Sequence, residues 1–353
     1  MKITKEPFGT LKDGTAVTRY TMENEHGMKV SVLDYGATVQ SILVPNEQGG
    51  FTDVALGYDD AAGYEAGSSF LGAFVGRYAN RLKGAAFTLN GRTYQLEKND
   101  GNNHLHGTFC RTLFDVKELE DGLLFTHTFP DGEEGYPGTL TVKAYYRMPF
   151  FNILELEYFA ETDADTVINL TNHTYFNLNG SGTILDHLLM SQARSFTEAN
   201  AETIPTGNIL PVQGTPMDFR LWKPIGRDIH SDYEQLRQCK GYDHNFILSD
   251  SKDGIKAGAF QMAFCARGDL SGIEMTCMTT QPAMQLYTGN FVGLDAAPCG
   301  KGGVRYPQYG GFCLETQNYP CAPNFENFPN AVLRPGETYH QKTSYIFTLW
   351  DRK

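Results

Sequence analysis

Apolar and polar residues alternate along much of this chain with a period of two, the pattern of half-buried β-strands. Residues 139–146 and 153–159 show the alternation most clearly, and residues 344–350 form an apolar run at the C-terminal end. We predict antiparallel strands in the first two segments and a closing strand in the third.

Turn-forming dipeptides divide this pattern into hairpins. Asn90-Gly91 separates the short runs 87–89 and 92–96, which predicts a hairpin with a type I′ turn. Asp121-Gly122 separates residues 114–119 from 123–129 and predicts a second hairpin of the same kind. Helical periodicity is limited to residues 232–240, where we expect a short surface helix.

The absence of linkers, repeats and low-complexity tracts indicates a single domain spanning residues 1–353. Length alone would allow two domains at ~150 residues each. Many short strands separated by turns instead favour an all-β fold, a large antiparallel sandwich or barrel with few short helices.

The chain has 29 Lys+Arg against 41 Asp+Glu, a formal net charge of −12. A surface of this sign without basic blocks repels phosphate backbones and anionic lipids, so we expect neither nucleic-acid nor membrane partners. The sequence contains no run of 18 apolar residues and no visible signal peptide, which predicts a cytoplasmic protein.

The sequence lacks the motifs of several common binding and catalytic chemistries. The seven cysteines include no CxxC pair, which disfavours a disulfide framework and a zinc ribbon. The sequence also lacks a P-loop, a complete dinucleotide fingerprint, an HExxH motif and a GxSxG elbow. Acid–base chemistry, metal binding and plain recognition remain.

Polar side chains stand out in two glycine-containing segments. GRYANR contains Asn80 and Arg81, but taken alone this is a weak signal, and an exposed loop arginine is the simpler interpretation. HLHG contains His104 and His106, which would lie on the same face of a strand and could bind a metal. The same side chains could equally bind a sugar.

Two further segments place ionisable groups in apolar surroundings. In residues 167–178, His173 shares a predicted face with Asn169, Thr171 and Tyr175, although it could simply bond a neighbouring strand. Glu315 follows the apolar run of GFCLETQ. Burial would raise its pKa toward the range useful for a base, whereas an edge strand would leave it solvated.

Asp243 in YDHNF and Gln285 in QPAMQLY complete the set of candidate residues. Aromatic rings beside Asp, Asn, Gln, His and Arg suit a neutral polyol, because C–H faces stack on rings while hydroxyls need donors and acceptors.

Six motifs in order along the chain resemble those of the aldose 1-epimerase, or galactose mutarotase, family. They read GRYANR, HLHG, NLTNHTYFNL, YDHNF, QPAMQLYTGN and GFCLETQNYP. The resemblance covers nearly the whole chain. It implies a single-domain β-sandwich of the galactose mutarotase type, a supersandwich. It also implies an isomerase that interconverts the α and β anomers of free aldohexoses such as D-galactose and D-glucose.

The resemblance also implies roles for individual residues, with neither cofactor nor metal. Glu315 corresponds to the catalytic base and His173 to the catalytic acid. The implied substrate-binding residues are Asn80, Arg81, His106, Tyr175, Asp243 and Gln285. The chain departs from the family pattern at Thr108, where a glycine is common, and at Cys321, where an aspartate is common. Both departures bear on loop shape and sugar preference.

Three alternatives stay open. A glycoside hydrolase would use Asp243 and Glu315 as its carboxylate pair. A hexose-phosphate epimerase of related fold would need additional cations for phosphate. A non-catalytic sugar-binding protein would not need Glu315 and His173 together. The sequence does not decide which aldose is preferred, or whether the protein is a monomer or a homodimer.

Overall fold

The computed structural model describes residues 1–294 and 297–351, and in these ranges the chain is built mainly from short strands. The strands of the N-terminal half are β1 (Lys2–Thr10), β2 (Ala16–Glu23), β3 (Lys29–Leu33), β4 (Val39–Pro45), β5 (Phe51–Asp53), β6 (Phe74–Val75), β7 (Arg81–Leu82), β8 (Ala86–Leu89), β9 (Arg92–Gln95), β10 (His104–Leu105), β11 (Asp115–Glu118), β12 (Gly122–Phe129), β13 (Leu140–Arg147) and β14 (Ile153–Thr162).

The remaining strands complete the order along the chain. They are β15 (Thr166–Val167), β16 (Thr171–Asn172), β17 (Tyr175–Phe176), β18 (Leu188–Ser191), β19 (Ser195–Ala199), β20 (Pro205–Pro211), β21 (Lys223–Pro224), β22 (Asp243–Ile247), β23 (Gln261–Arg267), β24 (Ile273–Thr279), β25 (Ala283–Tyr287), β26 (Phe312–Gln317), β27 (Val332–Leu333) and β28 (Tyr339–Leu349).

Helical structure in the described part of the chain is limited to short segments. Helix α2 (Glu234–Cys239) confirms the helix predicted near residue 232. Helix α1 (Ala61–Ala66), also six residues long, was not predicted. Asp60 caps α1 by accepting a hydrogen bond from the backbone N–H of Gly63 at 2.8 Å. Neither α-helix of the described ranges is long and apolar enough to cross a membrane.

Three large sheets organise the strands, and every strand pair within them is antiparallel. Their spatial orders are β1-β2-β3-β4-β5, then β11-β12-β13-β14-β28-β24-β23-β18-β21, and finally β17-β26-β25-β22-β19-β20. The predicted all-β antiparallel architecture is therefore confirmed.

The nine-stranded and six-stranded sheets pack face to face as a sandwich. Strands β13, β14 and β24 alternate between buried and partly exposed residues, so the nine-stranded sheet turns one face inward. Phe125 and Met275 from that sheet join Phe246 and Leu314 from the other in one buried cluster. The Tyr345 hydroxyl donates to the Leu314 carbonyl at 3.1 Å and ties the two layers together.

Both predicted hairpins form, but only one has the predicted turn. Asn90 and Gly91 both adopt positive φ, 52° and 76°, as a type I′ turn requires. Gly122 does not adopt positive φ. A Cβ there would lie 2.1 Å from the Tyr146 carbonyl oxygen, so this glycine allows close approach to β13.

Strand β26 is buried on both faces, unlike the strands at the edges of the sandwich. Because side chains alternate along a strand, Leu314 points into the core while Cys313 and Glu315 point to the opposite face. That opposite face of the six-stranded sheet carries the candidate site.

Candidate active site

A pocket of about 210 Å³ opens on this face of the six-stranded sheet. Seven of the eight predicted site residues line it: Asn80, Arg81, His106, His173, Tyr175, Asp243 and Glu315. The eighth, Gln285, is buried behind the wall, where its Nε2 donates to Asp243 Oδ1 at 2.6 Å. Segments more than 200 residues apart in sequence therefore converge on one cavity.

Strand register explains how three central strands bring their polar residues together. Gln285 of β25 lies directly opposite Glu315 of β26. In the neighbouring row, Tyr287 lies opposite Asp243 on one side and opposite Cys313 on the other. Opposite residues of antiparallel strands share a face, so each row presents its side chains to the pocket side.

His173 is positioned by backbone bonds to the segment around β6. Its N–H donates to the Ala73 carbonyl at 2.8 Å, and its own carbonyl accepts from the Gly72 N–H at 3.0 Å. This anchoring places His173 Nε2 3.6 Å from Glu315 Oε1, with both side chains buried.

The predicted face shared by His173, Asn169, Thr171 and Tyr175 is only half right. His173 and Tyr175 line the pocket, with ring centroids 5.0 Å apart. Asn169 instead donates to the Ala79 and Asn318 carbonyls at 3.1 and 3.3 Å. Strand β16 ends at Asn172 and β17 begins at Tyr175, so the side-chain alternation of a continuous strand does not extend from Asn169 to Tyr175.

Asn80 and His106 are locked to each other by two hydrogen bonds, one to the His106 ring and one between their backbones. The Asn80 N–H donates to His106 Nδ1 at 3.0 Å, and the His106 N–H donates to the Asn80 carbonyl at 3.1 Å. Both residues have φ of 64°, a left-handed conformation that costs backbone energy outside glycine. The lock makes Nδ1 of His106 an acceptor, so Nε2 carries the proton and is a donor.

Arg81 is anchored from behind the pocket. Its Nε donates to Asp100 Oδ2 at 2.7 Å, and the side chain is 16% exposed. Its backbone carbonyl accepts from both the N–H and the thiol of Cys321, at 3.0 and 3.1 Å.

The two departures from the family pattern lie beside the site rather than in its wall. A carboxylate could not donate to the Arg81 carbonyl, as the Cys321 thiol does. Thr108 donates through its N–H and its hydroxyl to Glu134 Oε2, at 3.2 and 3.0 Å. Each residue therefore tethers a segment that carries a pocket residue.

Burial controls the electrostatics of the pocket. It lowers the pKa of His173 to about 4 and lowers the pKa of His106 well below its ordinary value. Burial also raises the pKa of Glu315 well above its usual range, with Asp243 adding to the effect and Arg81 opposing it. Each of these shifts reflects the cost of placing a charge in a desolvated site.

His106, His173 and Glu315 bring ligand atoms within 4.8 Å of one another, so a metal site has to be considered. A metal needs an unprotonated ring nitrogen from each histidine. Because Asn80 occupies the Nδ1 lone pair of His106, its Nε2 carries hydrogen and has no lone pair to offer. The donor set suits hydroxyl recognition better than metal binding.

Aromatic residues that sequence reasoning missed complete the pocket wall: Phe70, Tyr287 and Phe291. Phe70 packs edge-on against His106, with ring centroids 4.8 Å apart, and lies 5.9 Å from His173. Tyr287 could have been found, because it lies two residues from Gln285 on the same strand. No local pattern marks Phe70.

An antiparallel sandwich with an adjacent carboxylic and imidazole group inside an aromatic-walled pocket has the features of a carbohydrate-active enzyme that works by proton transfer. Comparison with known proteins narrows this class. The model of the family described as aldose 1-epimerase matches residues 18–346. The chain belongs to the aldose 1-epimerase family and is an isomerase.

Individual relatives agree over nearly full length. Galactose mutarotase from Sus scrofa is 39% identical over 357 residues, covering 99% of each chain. Aldose 1-epimerase from Escherichia coli (strain K12) is 34% identical over 342 residues, covering 95% of this chain and 96% of its own.

Two solved structures share the fold at 29% sequence identity. The GalM/aldose epimerase homologue from C. elegans superposes with a TM-score of 0.85, covering 94% of this chain and 98% of its own. Galactose 1-epimerase from Lactobacillus acidophilus NCFM superposes with a TM-score of 0.84, covering 99% of this chain and 100% of its own.

Proposed function

We propose that the protein interconverts the α and β anomers of free aldohexoses such as D-galactose and D-glucose. The observation that carries this proposal is the 3.6 Å separation of His173 Nε2 and Glu315 Oε1 at the pocket. The anomeric hydroxyl and the ring oxygen are bonded to the same carbon. An acid and a base that act on these two oxygens must therefore lie side by side.

The reaction requires that one group remove a proton from the sugar and that another group donate a proton to it. In the family assignment, Glu315 removes the proton of the anomeric hydroxyl while His173 protonates the ring oxygen, and the C1–O5 bond breaks. The open-chain aldehyde then rotates about C1–C2. Ring closure reverses both proton transfers on the other face, which returns the two side chains to their starting state.

The protonation of the pair matters for this assignment. Burial favours the uncharged forms of both groups in the empty pocket, whereas the assignment starts from ionised Glu315 and protonated His173. The two arrangements hold the same number of protons and differ by one transfer between neighbouring atoms. Arg81 lowers the pKa of Glu315 and so favours the charged arrangement.

The remaining pocket residues orient the sugar in this proposal. Arg81 and the Nε2–H of His106 donate to sugar oxygens and steady charge on them. Asp243, held by Gln285, accepts from hydroxyls, and Tyr175 offers a ring face to the C–H surface. Asn80 acts mainly by fixing His106.

A phosphorylated substrate is less well served by this pocket. Of the described pocket-lining residues, only Arg81 is cationic, and Asp100 already pairs with it. Arg77, the other arginine of GRYANR, is buried and donates from Nη1 to the Pro137 and Gly138 carbonyls at 3.0 and 2.9 Å. A hexose-phosphate epimerase is therefore the less favoured alternative.

Glycoside hydrolysis and sugar binding without catalysis fit the pocket residues less well than mutarotation does. A glycoside hydrolase would use Asp243 and Glu315, yet Asp243 is engaged by Gln285, and Glu315 has His173 beside it. A binding module has no use for that buried pair, because burying ionisable groups is unfavourable without a compensating function.

The proposal has consequences for the setting of the reaction. Mutarotation involves no redox change, so it requires no cofactor. We place the protein in the cytoplasm, in carbohydrate metabolism, with a free monosaccharide as its partner, acting as a monomer or homodimer.

Polarimetry of freshly dissolved α-D-galactose and α-D-glucose tests the proposal directly. The protein should accelerate the approach to equilibrium for at least one sugar. Glu315→Gln and His173→Gln should each reduce the rate at least about 100-fold. The exposed matched controls Glu326→Gln and His26→Gln should leave it unchanged. No acceleration by the wild-type protein would refute mutarotation, and released reducing ends from oligosaccharides would indicate hydrolysis.

A further inference from the structure

The two histidines of the pocket differ in what lies behind their rings. Their planes are nearly perpendicular, at 88°, with centroids 5.2 Å apart. The Asn80 N–H donates to His106 Nδ1 and keeps that nitrogen unprotonated in the neutral ring. The Nε2–H of the neutral His106 ring is therefore always a donor, which suits it to holding a sugar oxygen rather than to exchanging protons.

His173 has a different partner behind it. Its Nδ1 lies 3.4 Å from the Cys313 thiol, and both side chains are buried. Cys313 and Glu315 are two residues apart on β26 and face the same side. One strand thus supplies the neighbour of each ring nitrogen, Cys313 for Nδ1 and Glu315 for Nε2.

A thiol is an unusual partner because it is a weak donor and also a weak acceptor. A carboxylate at this position would favour the imidazolium ion, as in carboxylate–histidine pairs. A backbone N–H would exclude a proton from Nδ1, as it does in His106. The proton that His173 gives up is on Nε2, so Nδ1 keeps its proton in both the charged and the neutral ring. The thiol is a weak, uncharged acceptor for that N–H, so it can hold the ring in both states without strongly favouring the imidazolium ion.

We propose that Cys313 is a positioning residue for the epimerase reaction, holding the His173 ring with Nε2 toward Glu315 while remaining compatible with both protonation states of the ring. This inference rests on the proposed function, in which His173 must give up a proton during ring opening and recover it during closure. It assigns to Cys313 a role that the family motifs do not indicate by themselves.

The competing explanation is that Cys313 only fills space. It belongs to a small buried cluster with Leu56, Tyr58 and Tyr175, where a cysteine acts as a small apolar side chain. If Cys313 only fills space, truncating another buried free cysteine should reduce kcat to the same extent. Cys277 on β24 provides that comparison, because it is fully buried in the main core and does not line the pocket.

Steady-state kinetics and histidine NMR separate the two explanations. Cys313→Ala should lower kcat about threefold to tenfold, the worth of one modest hydrogen bond, with KM within about twofold. Cys313→Ser should stay closer to wild type, because a hydroxyl also donates and accepts. Cys277→Ala should leave kcat unchanged even if it lowers the melting temperature.

The ring ¹⁵N shifts of His173 give a readout that does not depend on activity. In ¹⁵N-histidine-labelled protein, Cys313→Ala should change the His173 ring shifts and leave those of His106 in place. Unchanged kcat together with unchanged His173 shifts in Cys313→Ala would overturn the proposal, as would equal loss of kcat in Cys277→Ala. If wild-type protein fails to accelerate mutarotation, the proposed function fails, whereas the NMR result still reports the Cys313–His173 contact.

Discussion

Asn80 and His106 hold each other in place by two reciprocal bonds, from the Asn80 N–H to His106 Nδ1 at 3.0 Å and from the His106 N–H to the Asn80 carbonyl at 3.1 Å. The two residues are 26 positions apart in sequence, and both adopt the left-handed conformation, with φ of 64°. The orientation of the His106 ring is therefore built into the backbone of two motifs, GRYANR and HLHG.

His106→Ala should destabilise the protein as well as weaken sugar binding. The buried Asn80 N–H would lose its acceptor, which costs about 1–3 kcal/mol of unfolding free energy. KM should rise about tenfold, because the sugar loses the Nε2–H donor. Urea unfolding and polarimetric kinetics measure the two effects, with exposed His26→Ala as the control. An unfolding free energy equal to that of wild type would contradict the lock.

The pH dependence of the reaction should be flatter than that of an ordinary histidine enzyme. The working pair holds one transferable proton, and it gains a second one when His173 is protonated beside protonated Glu315. Because burial lowers the pKa of His173 to about 4, we expect kcat/KM to stay level from pH 8 down to pH 5.5. A histidine at its ordinary pKa would lose about tenfold at pH 5.5. Such a loss, after subtraction of spontaneous mutarotation, would disprove the buried neutral pair.

Local sequence patterns predicted the strands well because alternation and turn chemistry act over a few residues. The hairpin of β8 and β9 follows directly from Asn90-Gly91. The partners of β28 could not be predicted in the same way. This strand pairs with both β14 and β24, and no local pattern encodes contacts between such distant segments.

Site residues that belong to a sequence motif could be predicted. Site residues whose position depends on tertiary packing could not. Glu315 and His173 stand out as polar groups in apolar runs, and the structure brings them together. Asn169 was misplaced because strand alternation does not continue across the break after β16. Phe70 was missed because its position depends on the loop that brings it over His106, which is a tertiary property.

Glu315→Gln should make the protein more stable at alkaline pH while it removes activity. Burial raises the pKa of Glu315 above its unfolded value, so its contribution to stability is present at low pH and is lost as pH rises through the folded pKa. A glutamine has no charge to desolvate. The variant should therefore melt at a higher temperature than wild type at pH 8, and the difference should shrink at pH 5. An equal difference in melting temperature at both pH values would show that ionisation of Glu315 does not destabilise the folded protein. The exposed Glu326→Gln variant provides the control.

Asp100 should influence substrate binding through Arg81 although it does not line the pocket. Its carboxylate accepts from Arg81 Nε at 2.7 Å, and Arg81 lines the pocket. In the proposed function, the two terminal guanidinium nitrogens donate to the sugar. Asp100→Asn keeps the shape but removes the charge, so we expect KM to rise about threefold to tenfold with a smaller change in kcat. The Asp100 side chain is 36% exposed, so added salt should weaken the pair and reduce the difference between variant and wild type. The exposed control Asp186→Asn should leave KM unchanged. A fall in kcat at constant KM in Asp100→Asn would instead assign Arg81 to the chemical step rather than to the binding of the ground-state sugar.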